Sequence, residues 1–347
     1  MNRNVTVDIA KAIGIILVVM GHANFAPASP WRFFYMPLFF FLTGYLSSFN
    51  QDFKVFISNK VKSLYLPFLI CELVFIALHN FFYTIGILEN QYTFSSFLSS
   101  VFHVFLFDSS ELMLAPLWFM TALFVVNILS YGVCFIRKKW HVSQMLLLVI
   151  TFLLMLFGVI STRFQLISLP WSYNFKEGIN VILVALFFCY LGHVVKHSDK
   201  IRFTSWLITS IGVIYLYVAK LVLHLSVDMR VNGYSNVVFW LLACFLSIYS
   251  VMFIAQKLSQ LRAVGGLLAY VGRNSLIILF LHIISFKLVG LVQVHLFHYP
   301  IDLLAGWRHV DSTGWWSIFY VIAGVAVPLI LDFGFKRFKM VVLHRQS

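Results

Sequence analysis

Apolar residues run along this chain in blocks that are too long and too uniformly hydrophobic for the interior of a soluble domain. Ten blocks stand out, at about 7–26, 31–48, 66–88, 114–136, 143–161, 178–195, 203–223, 236–256, 274–296 and 315–335. Each approaches the ~20 apolar residues that a helix needs to cross a bilayer core of ~30 Å. Lipid offers no partner to open backbone, and the blocks are too long for barrel strands, so the pattern predicts helical spans. The polar positions that break the pattern are few. Three of them fall in the first block, VDIAKAIGIILVVMGHA from Val7 to Ala23, which carries Asp8, Lys11 and His22. At 3.6 residues per turn, Lys11 and His22 fall almost on one line of that helix, roughly 16 Å apart along its axis, and Asp8 lies about 40° from that line. Ionisable groups in a span are costly and mark a functional face.

Composition supports the reading from pattern. The chain is 61% hydrophobic and 11% charged, with 38 Phe, where a soluble domain carries about 25% charged residues. The expectation is one all-α polytopic integral-membrane domain over residues 1–347, with the bundle itself as the core. Cys71, Cys134, Cys189 and Cys244 all sit in apolar runs without metal-ligand spacing and read as packing residues.

The net charge of +13 would suit nucleic acid, but its distribution argues for topology. With the N-terminus in the cytoplasm, the inner segments hold seventeen Lys and Arg: Arg3, Lys54, Lys60, Lys62, Arg137, Lys138, Lys139, Lys196, Lys200, Arg202, Lys257, Arg262, Arg273, Lys336, Arg337, Lys339 and Arg345. The outer segments hold five: Arg32, Arg163, Lys176, Arg230 and Arg308. This asymmetry predicts ten spans with both termini cytoplasmic, and no nucleic-acid partner. Arg3, the first apolar run and Ala26-Pro27-Ala28 imitate a secretory signal. Asp8, Lys11 and His22 interrupt that imitation, so the segment is expected to be retained as a helix. Two connectors depart from plain loops. Gln51 to Leu64 alternates basic and apolar residues and reads as a surface-lying piece. Glu89 to Leu114 has acidic residues but no Lys or Arg, and fits either a short amphipathic helix on the bilayer or a re-entrant element over an outward cavity.

Candidate chemistry centres on His22, because imidazole accepts and returns a proton near neutral pH. A lone membrane histidine is more often a core group bonded across helices; its alignment with Asp8 and Lys11 favours a functional role. Lys11 can snorkel and pair with Asp8 three residues away, or it can meet phosphates arriving from inside. Arg32, at the outer mouth, reads as an interfacial anchor or as an orienting group for an acceptor or oxyanion. Trp118 reads as an interfacial residue or as a platform for a sugar ring. Arg273 and His282 in GRNSLIILFLH are a candidate phosphate contact and a candidate cavity histidine. Glu72, His79, His193, Lys287 and Asp332 are further polar groups in or near spans. Glu72 or Asp332 could partner Lys11, and Asp332 could equally pair with Lys336.

These residues resemble the signature of membrane-bound acyltransferase family 3, in which an Asp, a basic residue three later and a His eleven after that mark the first helix. Asp8, Lys11 and His22 match that spacing. MPLFFFLTGY, LWFMTALF and GRNSLIILFLH resemble further blocks of the branch that contains fucose 4-O-acetylase and related sugar acetylases. Lysine stands where the O-antigen and peptidoglycan acetylase branch usually carries arginine, and the chain is expected to differ from that branch also in its esterase-like domain and its Glu-rich block. The resemblance implies transfer of an acyl group, usually acetyl from cytoplasmic acetyl-CoA, to a hydroxyl of a cell-surface glycan or its lipid-linked precursor, with no metal. It implies His22 as the essential histidine, acting as base or acyl carrier, with Lys11 near the donor. The expected roles are catalytic for His22, Asp8 and Arg32, donor-binding for Lys11 and Arg273, and acceptor-binding for Trp118 and His282. The expected setting is multi-pass in the bacterial cytoplasmic membrane, in contact with lipid. The rival reading is a polysaccharide or small-molecule transporter or flippase of the same superfamily, without covalent chemistry.

Overall fold

The structure, a computed structural model, describes residues 4–166, 178–306 and 309–344, with side chains as far as residue 337. Arg3, Lys176, Arg308 and Arg345 of the charge count lie outside the described residues, as does the side chain of Lys339. The helices, in order, are α1 (Val5–His22), α2 (Tyr35–Leu46), α3 (Phe53–Lys60), α4 (Leu66–Thr84), α5 (Phe94–Phe105), α6 (Trp118–Trp140), α7 (Gln144–Phe164), α8 (Gly178–Lys196), α9 (Trp206–Leu221), α10 (Val237–Leu258), α11 (Arg262–Arg273), α12 (Ser275–Phe297) and α13 (Trp316–His344). A two-residue hairpin, β1 (Val227–Asp228) with β2 (Gly233–Tyr234), pairs antiparallel between α9 and α10.

Every predicted span meets a helix, and the chain is an all-α polytopic membrane protein. Among the described residues, eight helical stretches are long and apolar enough to cross a membrane. The other two predicted spans are shorter: α2 has 12 residues and α9 has 16, or about 18 and 24 Å of helix. The predicted surface piece from Gln51 to Leu64 is corrected. Asp52 caps the backbone N–H groups of Lys54 and Val55, and α3 continues through a π-helical turn, Val61–Tyr65, into α4. Pro67 explains that turn. It has no N–H to return to residue 63 and its ring crowds that carbonyl, so the chain shifts to a wider hydrogen-bond register just before it.

Helix direction follows from the contacts. Asn4 caps α1, whose first turns lie beside the ends of α10 and α11: Thr6 donates to Ser259, and a Cβ on Gly272 would fall 1.7 Å from the Asp8 carbonyl oxygen. At the far end of α1, His22 meets His282 of α12, so α1 and α12 run parallel. Lys336 of α13 returns to Asn274 beside the start of α12. The described ends of the chain therefore lie on one side, the basic side. α2 descends next to α8 in backbone contact, because a Cβ on Gly44 would lie 1.7 Å from the Cys189 oxygen and one on Gly192 would lie 2.0 Å from the Phe41 oxygen. Such glycine crossings replace the hydrophobic drive that lipid removes.

The acidic connector after α4 is re-entrant. Asn80 pairs with the backbone of Tyr92, and α5 then runs back along α4 until the Tyr65 hydroxyl donates to the Phe105 carbonyl at 3.0 Å. The chain climbs again on the same helix. Phe107 packs on Phe68, Ser109 donates to Glu72 at 2.5 Å, and His79 meets Glu111 at 3.0 Å with Tyr92 stacked on its ring. A 3₁₀ segment, Leu112–Leu117, then delivers Trp118 to the His22 end of the bundle.

Candidate active site

Two adjoining cavities run along the face of α1 that carries Lys11 and His22. The lower one, about 290 Å³, is lined by Lys11, Ile15 and Val18 of α1, Thr43 and Leu46 of α2, Lys60, Phe119 and Asn127 of α6, and Ser275 of α12. The upper one, about 100 Å³, is lined by His22, Arg32, Tyr35, Trp118, Asp228 and Arg230. Val18, Met36 and Leu279 border both, so the two adjoin. The wall between them is apolar, whereas two ammonium groups stand at the basic end and an imidazole at the other. This is the polarity that the α1 spacing predicted, with a cavity at each end.

His22 is held by a partner that fixes its chemistry. Its Nδ1 lies 2.7 Å from Nε2 of His282, with ring planes 8° apart. His282 is fully buried, and its Nδ1 is 3.0 Å from the carbonyl oxygens of both Ile278 and Leu279. Carbonyl oxygens only accept, so His282 Nδ1 carries a proton and donates. In the neutral ring, Nε2 must then accept, so His22 Nδ1 is the donor toward it. The lone pair of a neutral His22 is thereby placed on Nε2. If His22 takes up a proton, the Nδ1–H···Nε2 bond becomes charge-assisted and stronger. The arrangement has the logic of a hydrolase triad, in which a second group orients the base and supports its cationic form.

The other predicted residues separate into those the fold gathers and those it does not. Arg32 and Trp118 line the upper cavity and Lys11 the lower. Arg32 is set by the 3₁₀ segment Ala26–Phe33, which is pinned by the buried Trp240 indole donating to the Phe33 carbonyl at 2.8 Å. His282 lines neither cavity and instead packs against His22, so the acceptor-binding position expected for it is not where the fold puts it. Asp8 is buried against α11 at the basic end, fourteen residues or about 21 Å from His22 along the axis. That distance gives it no direct contact with chemistry at the imidazole. Arg273 closes α11 with its side chain exposed and outside both cavities. Glu72 is taken by Ser109 and Asp332 by Lys336, so neither partners Lys11.

Four site residues escaped sequence reasoning. Lys60 and Ser63 join Lys11 at the lower cavity because the α3–α4 helix is continuous. Arg230 and Asp228 reach the upper mouth on the short hairpin, where Asp228 accepts from the Arg230 backbone N–H. Only their charge in an outer loop marked them, which does not distinguish them from Arg163. Neither Arg32 nor Arg230 has a side-chain hydrogen bond or ion pair among the described residues, so both guanidiniums are available at the mouth.

The family model described as the acyltransferase domain matches residues 4–333. No curated protein and no solved structure matches the chain.

Proposed function

The chain belongs to the acyltransferase-domain family, and from that premise we propose that it moves an acetyl group from acetyl-CoA to a hydroxyl of a cell-surface glycan or its lipid-linked precursor. The observation that carries this is the pair of adjoining cavities, one lined by Lys11 and Lys60 and the other by an imidazole whose lone pair is set by His282. The donor enters from the basic side, which the positive-inside count assigns to the cytoplasm. Its phosphates meet the two ammonium groups. Its pantetheine arm follows the apolar wall formed by Ile15, Phe39, Leu42 and Phe119. The ~16 Å between Lys11 and His22 matches an extended arm of that kind.

At the upper end, His22 Nε2 accepts the proton of the acceptor hydroxyl as its oxygen attacks the thioester carbonyl. The imidazolium is supported through Nδ1 by His282. Arg32 or Arg230 supplies the charge opposite the tetrahedral oxyanion. Collapse breaks the carbon–sulfur bond, the thiolate takes the proton back from His22, and the ester and free CoA depart. The same lone pair would serve an acyl-histidine route, in which His22 Nε2 attacks first and the hydroxyl displaces it. Trp118 offers a face for the sugar. No step requires a metal. The setting that fits this traffic is a bacterial cytoplasmic membrane.

The test is transfer of labelled acetyl from acetyl-CoA by purified protein in nanodiscs, with membrane glycan as acceptor. Wild type should label the glycan, and His22→Ala should insert with unchanged thermal stability yet transfer nothing. Undiminished labelling by His22→Ala removes the proposal. Acceptor movement across the bilayer without any labelling supports a transporter instead.

A further inference from the structure

A third cavity, about 430 Å³, opens on the basic side between the end of α6, the turn into α7 and the end of α8. Arg137, Lys138, His141, His193 and His197 line it, and no carboxylate does. Part of this charge follows from topology, since basic residues collect on that side of any multi-pass protein. His193 does not fit that explanation. It is more than nine-tenths buried, and its Nδ1 has no hydrogen-bond partner among the described residues. One turn on, His197 donates its Nδ1–H to the His193 carbonyl at 2.8 Å, and the two rings lie 4.4 Å apart. Two imidazoles thus converge with a guanidinium and an ammonium on one concavity. A buried ring nitrogen without a partner, and a guanidinium beside an ammonium with no carboxylate lining the cavity among the described residues, both favour an anion there.

This cavity is distinct from the lower one. On α6, Phe119, Leu123 and Asn127 face the lower cavity, whereas Cys134, Arg137 and Lys138 face this one. The step from Asn127 to Cys134 is two turns, about 10 Å. Tyr131 stands between them, its hydroxyl donating to the Gln51 carbonyl at 3.0 Å and its ring packed on Phe53 and Phe56.

We propose that this cavity is a phosphate-binding site, in which the Arg137 fork engages two phosphate oxygens and Lys138 and the histidines hold the rest. Two sources carry that chemistry: the ribose 3′-phosphate of a CoA-type donor reaching past Tyr131, and the headgroup of an anionic phospholipid. The first rests on the donor reading above; the second does not.

The experiment uses full-length protein in phosphatidylcholine nanodiscs. Adenosine 3′,5′-bisphosphate and 5′-AMP are titrated calorimetrically, and phosphatidylglycerol is added in parallel with native mass spectrometry of retained lipid. Either the bisphosphate binds at least tenfold more tightly than AMP, or phosphatidylglycerol is retained selectively. In both cases the preference should fall at least tenfold in Arg137→Gln, a half-buried position whose melting temperature in phosphatidylcholine alone serves as the folding control. His193→Asn, which keeps a polar atom near Nδ1, is the second variant and should weaken the same preference. If neither probe separates wild type from both variants, the proposal is overturned. Acetyl-CoA binding that persists alongside that result leaves the donor path intact. Loss of all acetyl-CoA binding with lipid retention intact refutes the donor path alone.

Discussion

Replacing His282 tests the central geometry. His282→Leu fills a similar volume in a fully buried position but removes the acceptor that lies 2.7 Å from His22 Nδ1. The Ile278 and Leu279 carbonyls stay within their helix ladder, so the backbone loses little. What is lost is the bond that becomes charge-assisted when His22 carries the proton, together with the enforced tautomer. A hydrogen bond to a charged group is worth about 1.5–3 kcal/mol, which at about 1.4 kcal/mol per decade is roughly a 10- to 150-fold fall in rate. That fall should appear in kcat for acetyl transfer, because the bond strengthens only as charge develops on the ring. The KM for acetyl-CoA should stay within about twofold, since His282 lines neither cavity. His282→Gln places an amide oxygen near the position of Nε2 and should recover part of the loss. The assay is steady-state transfer of labelled acetyl in nanodiscs. A His282→Leu enzyme with wild-type kcat, or one whose loss falls wholly in KM, would refute the orienting role.

Other outcomes follow from the same geometry. Lys11→Gln and Lys60→Gln should each raise the KM for acetyl-CoA by about tenfold with little change in kcat, as removal of a phosphate contact requires; a loss confined to kcat would contradict that placement. Trp118→Ala should raise the KM for the glycan and leave acetyl-CoA binding, read by calorimetry, unchanged. Gly44→Val should destabilise by at least about 3 kcal/mol, because a Cβ there meets the Cys189 carbonyl oxygen at 1.7 Å; the readout is melting temperature, and a wild-type value would show that the α2–α8 crossing is looser than described. Glu111→Ala leaves the buried His79 ring without its carboxylate partner at 3.0 Å and should loosen the re-entrant segment, read as faster hydrogen exchange over residues 94–117.

Legibility differed along the chain for physical reasons. Hydropathy located a helix at every predicted span, because a lipid-embedded helix satisfies its backbone within itself and must be apolar along its length. It misjudged α3, where Lys54, Lys60 and Lys62 suggested a surface piece. A continuous helix carries such residues when its lower half leaves the apolar layer. The re-entrant segment was one of two readings left open, since twelve apolar-rich residues fit an interfacial helix equally well. Its direction is set by Asn80, Tyr65 and Glu72, all on a neighbouring helix. At the site, Lys11, Arg32, Trp118 and His22 line the cavities, while Arg273 and Asp8 do not.

The sequence alone determined the class of molecule, the ends of the bundle that carry basic charge, and the fact that α1 bears a cation and an imidazole on one face about 16 Å apart. Those properties are local: composition, loop charge and the 3.6-residue period need no knowledge of neighbours. Only the tertiary structure decided that His282 fixes the tautomer of His22, that Lys60 joins Lys11, and that Arg230 reaches the mouth. It also decided that His193 and Arg137 share a cavity of their own. In a membrane bundle nearly every helix face is apolar, so periodicity does not reveal which faces meet. Partnership across helices is settled by close packing at small residues such as Gly44, Gly192 and Gly272, and the chemistry of the site depends on those crossings.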